Sequence, residues 1–146
     1  MRRAVGIAVS CGIFLMACVT PPGTPSIKVK SIGEEGPGFL TLSFSTDQLA
    51  QTEAQEVLLL AAAIITRRSG ESRFQFRTVT AEGLVDGYSD RVRYFDIDAV
   101  IHPLGPGATG DPARKTYNAG NVIGFFEPKY LQFLPQRLKP LAAPAA

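Results

Sequence analysis

The change from strand-like to helix-like periodicity in the first half of the chain constrains the fold more than any other sequence feature. Residues 39–45 (FLTLSFS) alternate, which places Leu40, Leu42 and Phe44 on one face of a predicted strand. Directly afterwards the apolar residues recur at helical spacing, and the second half of this segment is apolar on nearly every side. We therefore expect a strand followed by a helix over residues 47–69, with the second half of the helix buried on most sides.

Capping signals predict where this helix begins and ends. Ser45, followed three residues later by Gln48, matches a capping box, and residues 52–55 offer a second start. Two arginines fall in the expected last turn, where cations interact favourably with the helix dipole. Gly70 can then close the helix, because glycine adopts the left-handed conformation that ends many helices.

Three further segments alternate as strands do. Residues 27–32 alternate weakly and carry lysines typical of a sheet edge, and residues 73–80 turn two phenylalanines to one side. Residues 91–101 place four apolar side chains on one face: Phe95, Ile97, Ala99 and Ile101. The predicted fold class is α+β: one long helix packed on a small, mostly antiparallel sheet, with a β-α-β-β core within residues 27–101.

The C-terminal third is predicted to be loop-rich. Residues 102–139 are expected to pack on the core as an extension, with loop over residues 104–120. Pro128 can open a short helix that places Phe126 and Tyr130 on one side. Two interpretations remain for these aromatic side chains: they pack back onto the sheet, or they form an exposed patch for a partner. Residues 140–146 are predicted to be a disordered tail.

The amino terminus has the layout of an export signal. Arg2 and Arg3 precede an uncharged apolar run of 14 residues, and a segment rich in proline follows. The run is shorter than the roughly 20 apolar residues that a membrane-spanning helix needs. We therefore expect residues 1–17 to be removed as a signal peptide and residues 18–26 to form a flexible tether.

The end of the apolar run, Leu15-Met16-Ala17-Cys18, resembles the lipobox of bacterial lipoproteins. The resemblance implies diacylglyceryl transfer to the Cys18 thiol, cleavage between Ala17 and Cys18, and acylation of the new amino terminus. Two or more acyl chains hold a protein firmly on a membrane, whereas one chain holds it marginally. Because Val19 rather than aspartate follows the cysteine, the resemblance favours the outer membrane. The alternatives are a plain signal peptide or an uncleaved anchor.

A second resemblance concerns the fold. Residues 58–66, together with Gly70 and Phe74, are similar to the helix-to-strand junction of a family of small proteobacterial lipoproteins. That family pairs a lipobox with one strand–helix–strand unit, so the resemblance covers residues 39–76. It implies a fold for this segment and carries no activity.

Composition excludes several classes of function for the mature chain. Removal of residues 1–17 leaves 129 residues with 13 basic and 13 acidic side chains, so no basic surface for nucleic acid is expected. Cys11 leaves with the leader and Cys18 carries lipid, which leaves no thiol for a disulfide, a metal site or a nucleophile. His102 is the only histidine, so one chain cannot form a multi-histidine zinc site.

Three polar residues near the end of the last predicted strand are candidates for a site. Asp96, Asp98 and His102 have the same parity, so a continuous strand lines them along one face. Two carboxylates and an imidazole can hold a divalent metal or act as an acid–base pair, and His102 also leaves a Ser–His–Asp triad open. The alternative is that these side chains simply face water.

Residues 105–110 match G-x-G-x-x-G, the pattern of a nucleotide-binding loop. No helix is predicted to begin directly after these residues, so we expect a loop and no nucleotide or other cofactor.

These features favour a non-enzymatic lipoprotein over an enzyme. The expected location is the periplasmic face of the outer membrane, after export by the general pathway. The expected role is binding or structural, with the membrane contacted through the lipid anchor and an envelope protein as the candidate partner. Two alternatives are a lipoprotein that binds a small ligand or a divalent metal through Asp96, Asp98 and His102, and an envelope hydrolase.

Overall fold

The computed structural model describes residues 24–85 and 92–139. The leader, the lipobox cysteine and the predicted tail lie outside these residues. The described stretches form five strands and two helices: β1 (Ser26–Glu34), β2 (Leu40–Asp47), α1 (Gln51–Arg68), β3 (Arg73–Val85), β4 (Val92–Leu104), β5 (Tyr117–Asn118) and α2 (Ala119–Tyr130).

The strands form one antiparallel sheet in the order β1-β2-β4-β3-β5. Strand β4 pairs with both β2 and β3, so β2 and β3 run parallel to each other on either side of it. Helix α1 connects these two strands and makes a split β-α-β unit. The predicted α+β class with an antiparallel sheet is confirmed.

The register of β2 and β4 separates an apolar face from a polar one. Leu42 lies opposite Ala99 and Phe44 opposite Ile97, and all four side chains are buried. The intervening residues bring Ser43 beside Asp98 on the outer face. This alternation is the reason that the helices cover one face of the sheet only.

The prediction of one long helix over residues 47–69 is wrong. Helix α1 has 18 residues, and α2 has 12 more. Strand β2 continues through Asp47, so Ser45 is a buried strand residue and cannot cap the helix. Gln48 then turns the chain at a φ of +62°, and Ala50 becomes the N-cap residue.

The predicted burial of the second half of this helix is confirmed. Seven consecutive residues of α1, numbers 60–66, are all buried, so no side of this stretch faces solvent. The sheet covers one side, while α2 packs against the other. Tyr130, Leu134 and Leu138 belong to the same buried cluster as the α1 residues, so the C-terminal third completes the core.

The prediction that Pro128 opens a short helix is also wrong. Helix α2 begins at Ala119, where the Asn118 side chain caps it by accepting a hydrogen bond from the Asn121 amide at 2.9 Å. Pro128 lies inside the helix near its end. The loop predicted over residues 104–120 is shorter in the structure, because β4 includes Leu104 and residues 117–118 pair with β3.

Gly70 ends α1 as predicted. Its φ is +93°, and its amide donates to the Arg67 carbonyl at 3.1 Å. The Glu71 amide donates to the Thr66 carbonyl at 3.2 Å, which completes a Schellman motif. This closure reverses the chain directly into β3.

The same substitution at two glycines should change stability in opposite directions. Neither Gly70 nor Gly124 has a heavy atom within 4 Å of an added Cβ, so only the backbone distinguishes them. Gly70→Ala should lower the free energy of unfolding by about 1 kcal/mol, because alanine is strained at positive φ. Gly124→Ala, inside α2, should raise it by roughly 0.5–1 kcal/mol. Urea unfolding of both variants measures this, and equal effects would contradict the assignment of these two conformations.

Candidate functional site

The three residues predicted from sequence lie on the outer face of β4, but they have separate partners. Asp96 forms an ion pair with Lys30 of β1, and it also accepts a hydrogen bond from the Tyr94 hydroxyl at 3.2 Å. The hydrogen bond from Lys30 is the main reason that the pKa of Asp96 lies below its usual value. Asp98 is exposed beside Ser43 and Thr80.

His102 lies further along β4, at the opposite end of the outer face from Asp96. Its ring centroid is 4.9 Å from that of Phe39, the residue that precedes β2. Across the residues that the structure describes, no group of three His, Cys, Asp or Glu side chains could hold a metal ion. The proposed trio therefore shares a face of the strand without forming a cluster.

His102 instead contributes to a cleft of about 280 Å³ on the outer face, where β4 ends. We call this the terminal cleft. It is lined by Phe39, Gln75, Phe76, Arg77, His102, Asp111 and Arg114. Among these residues only His102 is a site candidate in the sequence, because the lining residues are separated by up to 75 positions along the chain.

Gln75 of β3 holds one wall of the terminal cleft in place. It lies opposite His102 in the sheet register and is 1% exposed. Its amide nitrogen donates to the carbonyls of Asp111 and Arg114 and to the Thr116 hydroxyl, at 2.9, 3.2 and 2.9 Å. Its amide oxygen accepts from the Asp111 amide at 2.9 Å. A buried side chain with this many partners fixes the loop over residues 105–116 against the sheet.

Arg114 fixes the same loop from the edge of the sheet. Its Nη1 donates to the Phe76 carbonyl at 2.8 Å and to the Arg77 carbonyl. These two carbonyls lie at the irregularity of β3, where pairing with β4 shifts between Phe76 and Thr78. The Nε atom lies 3.2 Å from the Asp111 carboxylate. Arg114 therefore links the loop to the bulged strand.

The loop also contains the G-x-G-x-x-G match. Residues 105–110 form a loop, as predicted, and α2 begins only at Ala119. Gly110 has a φ of +65°, and an added Cβ would lie 2.6 Å from the Gln75 amide oxygen. The glycine at this position is thus explained by the packing of Gln75 beneath it.

A second surface with functional potential is the solvent-facing side of α2. Asn121, Gly124, Phe125 and Pro128 are all exposed, and their i, i+3, i+4, i+7 spacing places them on one side of the helix. We call these four residues the α2 stripe. Phe125 is 77% exposed, and its ring contacts that of Phe126 edge to face at 5.0 Å. None of the four residues is charged.

The C-terminal end of α2 is held by a cluster that we call the Glu56 clamp. Glu56 of α1 accepts hydrogen bonds from Lys129, at 2.8 Å, and from the Tyr130 hydroxyl. The Lys129 bond is the main reason that the pKa of Glu56 is lowered. Burial is the main reason that the pKa of Tyr130 rises to about 12, so the phenol is a neutral donor at pH 7. This cluster fixes the end of α2 and thereby the orientation of Phe125.

Comparison with known proteins found no matching family model, no matching curated protein and no matching solved structure. Within residues 24–85 and 92–139, neither helix combines the length and apolarity needed to cross a membrane.

The Glu56 clamp should make stability depend on pH in the acid range. The pKa of Glu56 in the folded chain lies below its usual value of 4.5. The contribution of Glu56 to the free energy of unfolding is therefore present above about pH 4.5 and is lost as the pH falls through the lowered pKa. Glu56→Gln should lower the free energy of unfolding by about 1 kcal/mol at pH 7, and this difference should shrink at acid pH. Thermal unfolding from pH 7 to pH 3 measures both effects.

Glu34→Gln is the matched control, since Glu34 is an exposed carboxyl at the end of β1. It should alter stability by less than about 0.5 kcal/mol at every pH. A difference for Glu56→Gln that persists unchanged at pH 3 would contradict the role of the ionised carboxylate.

Proposed function

We propose that this chain is a lipoprotein of the bacterial cell envelope. Lipids on Cys18 hold it on the periplasmic face of the outer membrane, and its folded domain has a non-enzymatic binding role. The anchor rests on the charged n-region, the short apolar run and the lipobox-like residues that end at Cys18.

The position of β1 fits a short connection between the lipids and the domain. Ser26, the first residue of β1, follows Cys18 by eight residues. Even a fully extended tether of this length reaches only about 26 Å. The folded domain therefore stays within one domain diameter of the bilayer and is available to partners at the membrane surface.

The α2 stripe is the single observation that supports a binding role most strongly. An exposed phenylalanine on a helix face whose one charged neighbour, Lys129, is paired with Glu56 is the type of anchor that enters an apolar pocket of a partner protein. Rotation of the helix to bury the ring would break the bonds of Lys129 and Tyr130 to Glu56. We infer that the partner is a protein with an apolar groove.

Charge favours a protein over the lipid surface as the occupant of this face. Peripheral helices that insert into anionic membranes carry lysine or arginine beside their aromatic side chains. In α2 the only charged residues are Glu127 and Lys129, and Lys129 is paired with Glu56. The acyl chains already supply firm attachment, so membrane insertion of Phe125 adds little.

The alternative of a metal site at Asp96, Asp98 and His102 is less well supported. The Asp96 carboxylate is already engaged by Lys30, and the His102 ring packs on Phe39. A metal would have to displace the lysine and draw together side chains from distant parts of β4. A hydrolase that uses His102 would need an acid partner for its ring, which the packing on Phe39 does not provide.

The lipid anchor predicts a specific mass and location. Protein purified from envelope membranes should have lost residues 1–17 and gained the mass of a diacylglyceryl group and an amide-linked acyl chain at Cys18. Cys18→Ser should prevent lipidation, leave the leader attached and abolish outer-membrane fractionation. Intact-mass spectrometry measures this directly, and a bare thiol with the leader still present would contradict the anchor.

The α2 stripe predicts a contact centred on position 125. A photoreactive phenylalanine analogue placed there in cells should yield one discrete adduct with a second protein. The same analogue at Val79, which is 44% exposed on β3, is the matched control and should not yield that adduct. With the analogue at position 121 instead, Phe125→Ser should reduce the yield of the adduct roughly tenfold relative to the chain that keeps Phe125. The reason is that the Phe125 ring contributes most of the binding energy.

Three outcomes of that experiment would contradict the protein partner. Adducts of equal yield from positions 125 and 79 would indicate non-specific contact. An adduct with the mass of two copies would identify self-association instead. Cosedimentation with anionic vesicles of the chain produced without residues 1–18, lost in Phe125→Ser, would identify the bilayer as the occupant.

A further inference from the structure

The terminal cleft contains more positive than negative charge. Two guanidinium groups, those of Arg77 and Arg114, face it together with the His102 ring, and Asp111 supplies the single carboxylate among its lining residues. The negative charge of Asp111 is already compensated. Its carboxylate accepts a hydrogen bond from the Ala113 amide at 2.9 Å and another from Arg114 Nε. These bonds hold its pKa below the usual value, with the Ala113 amide as the main cause. The remaining charge favours an anion.

Arg77 is the cation in this cleft that has no acceptor. Its Cζ atom lies 4.6 Å from the centroid of the Phe39 ring, and within the described residues its guanidinium makes no hydrogen bond or ion pair. Its N–H groups are therefore available to a ligand. This arrangement matches the two oxygens of a carboxylate, which arginine binds in a bidentate manner.

Arg114 has a different role on the opposite wall. Its Nη1 and Nε atoms are engaged by the Phe76 and Arg77 carbonyls and by Asp111. Only Nη2 remains for a ligand. Because the buried Gln75 amide also fixes this loop, the wall that carries Arg114 is organised before any ligand arrives, which lowers the entropic cost of binding.

The remaining lining surface is aromatic. The Phe39 and His102 rings lie 4.9 Å apart with an interplanar angle of 36°, and they form a tilted apolar floor. A volume of about 280 Å³ lies near the lower limit for small-molecule sites. The cleft thus combines space for one ring with a bidentate cation at its side.

We propose that the terminal cleft binds a small carboxylate whose carboxyl group is attached to a planar, apolar body. Arg77 binds the carboxylate in a bidentate manner, Arg114 Nη2 adds a further donor, and the ligand ring packs on His102 beside the Arg77–Phe39 pair. This site is distinct from the α2 stripe and lies on the opposite side of the sheet from the helices. Neither lipidation of Cys18 nor the α2 contact is required for it, so its test is independent of the proposed function.

Calorimetric titration of the purified full chain in detergent tests this site with benzoate as the probe. Benzoate should bind at one site per chain, and benzamide, which has the same ring without the charge, should bind at least roughly tenfold more weakly. Arg77→Gln should weaken benzoate about tenfold or more, and Arg77→Lys should lie between, since lysine retains the charge without the planar fork. Arg77 is exposed, so both variants are expected to fold.

Lys28→Gln is the matched control, because it removes one positive charge from an exposed residue on β1. Benzoate affinity should be unchanged in this variant. No saturable heat from benzoate, or equal losses in Arg77→Gln and Lys28→Gln, would overturn the proposal. Competition by inorganic phosphate as effective as benzoate itself would also overturn it, because it would show selection for charge without the planar carboxylate and its ring.

Discussion

Complete burial of the second half of α1 is the constraint on which the rest of the structure depends. One sheet cannot bury seven consecutive residues of a helix, because a sheet covers only one side of the helix. The second cover is α2 together with Leu134 and Leu138, all of which belong to the same cluster. The C-terminal third is therefore a structural part of the domain, and truncation before it would expose the apolar side of α1 to water.

The elements predicted correctly from sequence are those in which local pattern and tertiary packing agree. Leu42 and Phe44 alternate with hydroxyl residues, and the sheet buries only their side. Gly70 closes α1 because a left-handed residue is needed where a helix turns directly into a strand. The apolar surroundings of residues 60–66 indicated burial on most sides because no polar stripe interrupts them.

The elements that were missed depend on residues far apart in the chain. Helix α2 contains Gly120, Gly124 and Pro128, which lower its intrinsic propensity, and it is stabilised instead by packing on α1 and by the Glu56 clamp. The burial of Gln75 had no local signal, because its partners follow it by 36 to 41 residues. The terminal cleft was missed for the same reason: His102 was grouped with its neighbours in β4, whereas the other lining residues come from Phe39, from β3 and from a later loop.

The register of the sheet places the chain entry and the terminal cleft at opposite ends. Ser26 pairs with Asp47, whereas Gln75 pairs with His102 at the end where β2 begins. The chain from Phe39, which precedes β2, to Asp47 spans about 26 Å at the usual rise of a strand. The terminal cleft therefore lies at the end of the sheet opposite to Ser26, where β1 begins. Helix α2 begins at the cleft end and runs back toward Glu56 near the entry end.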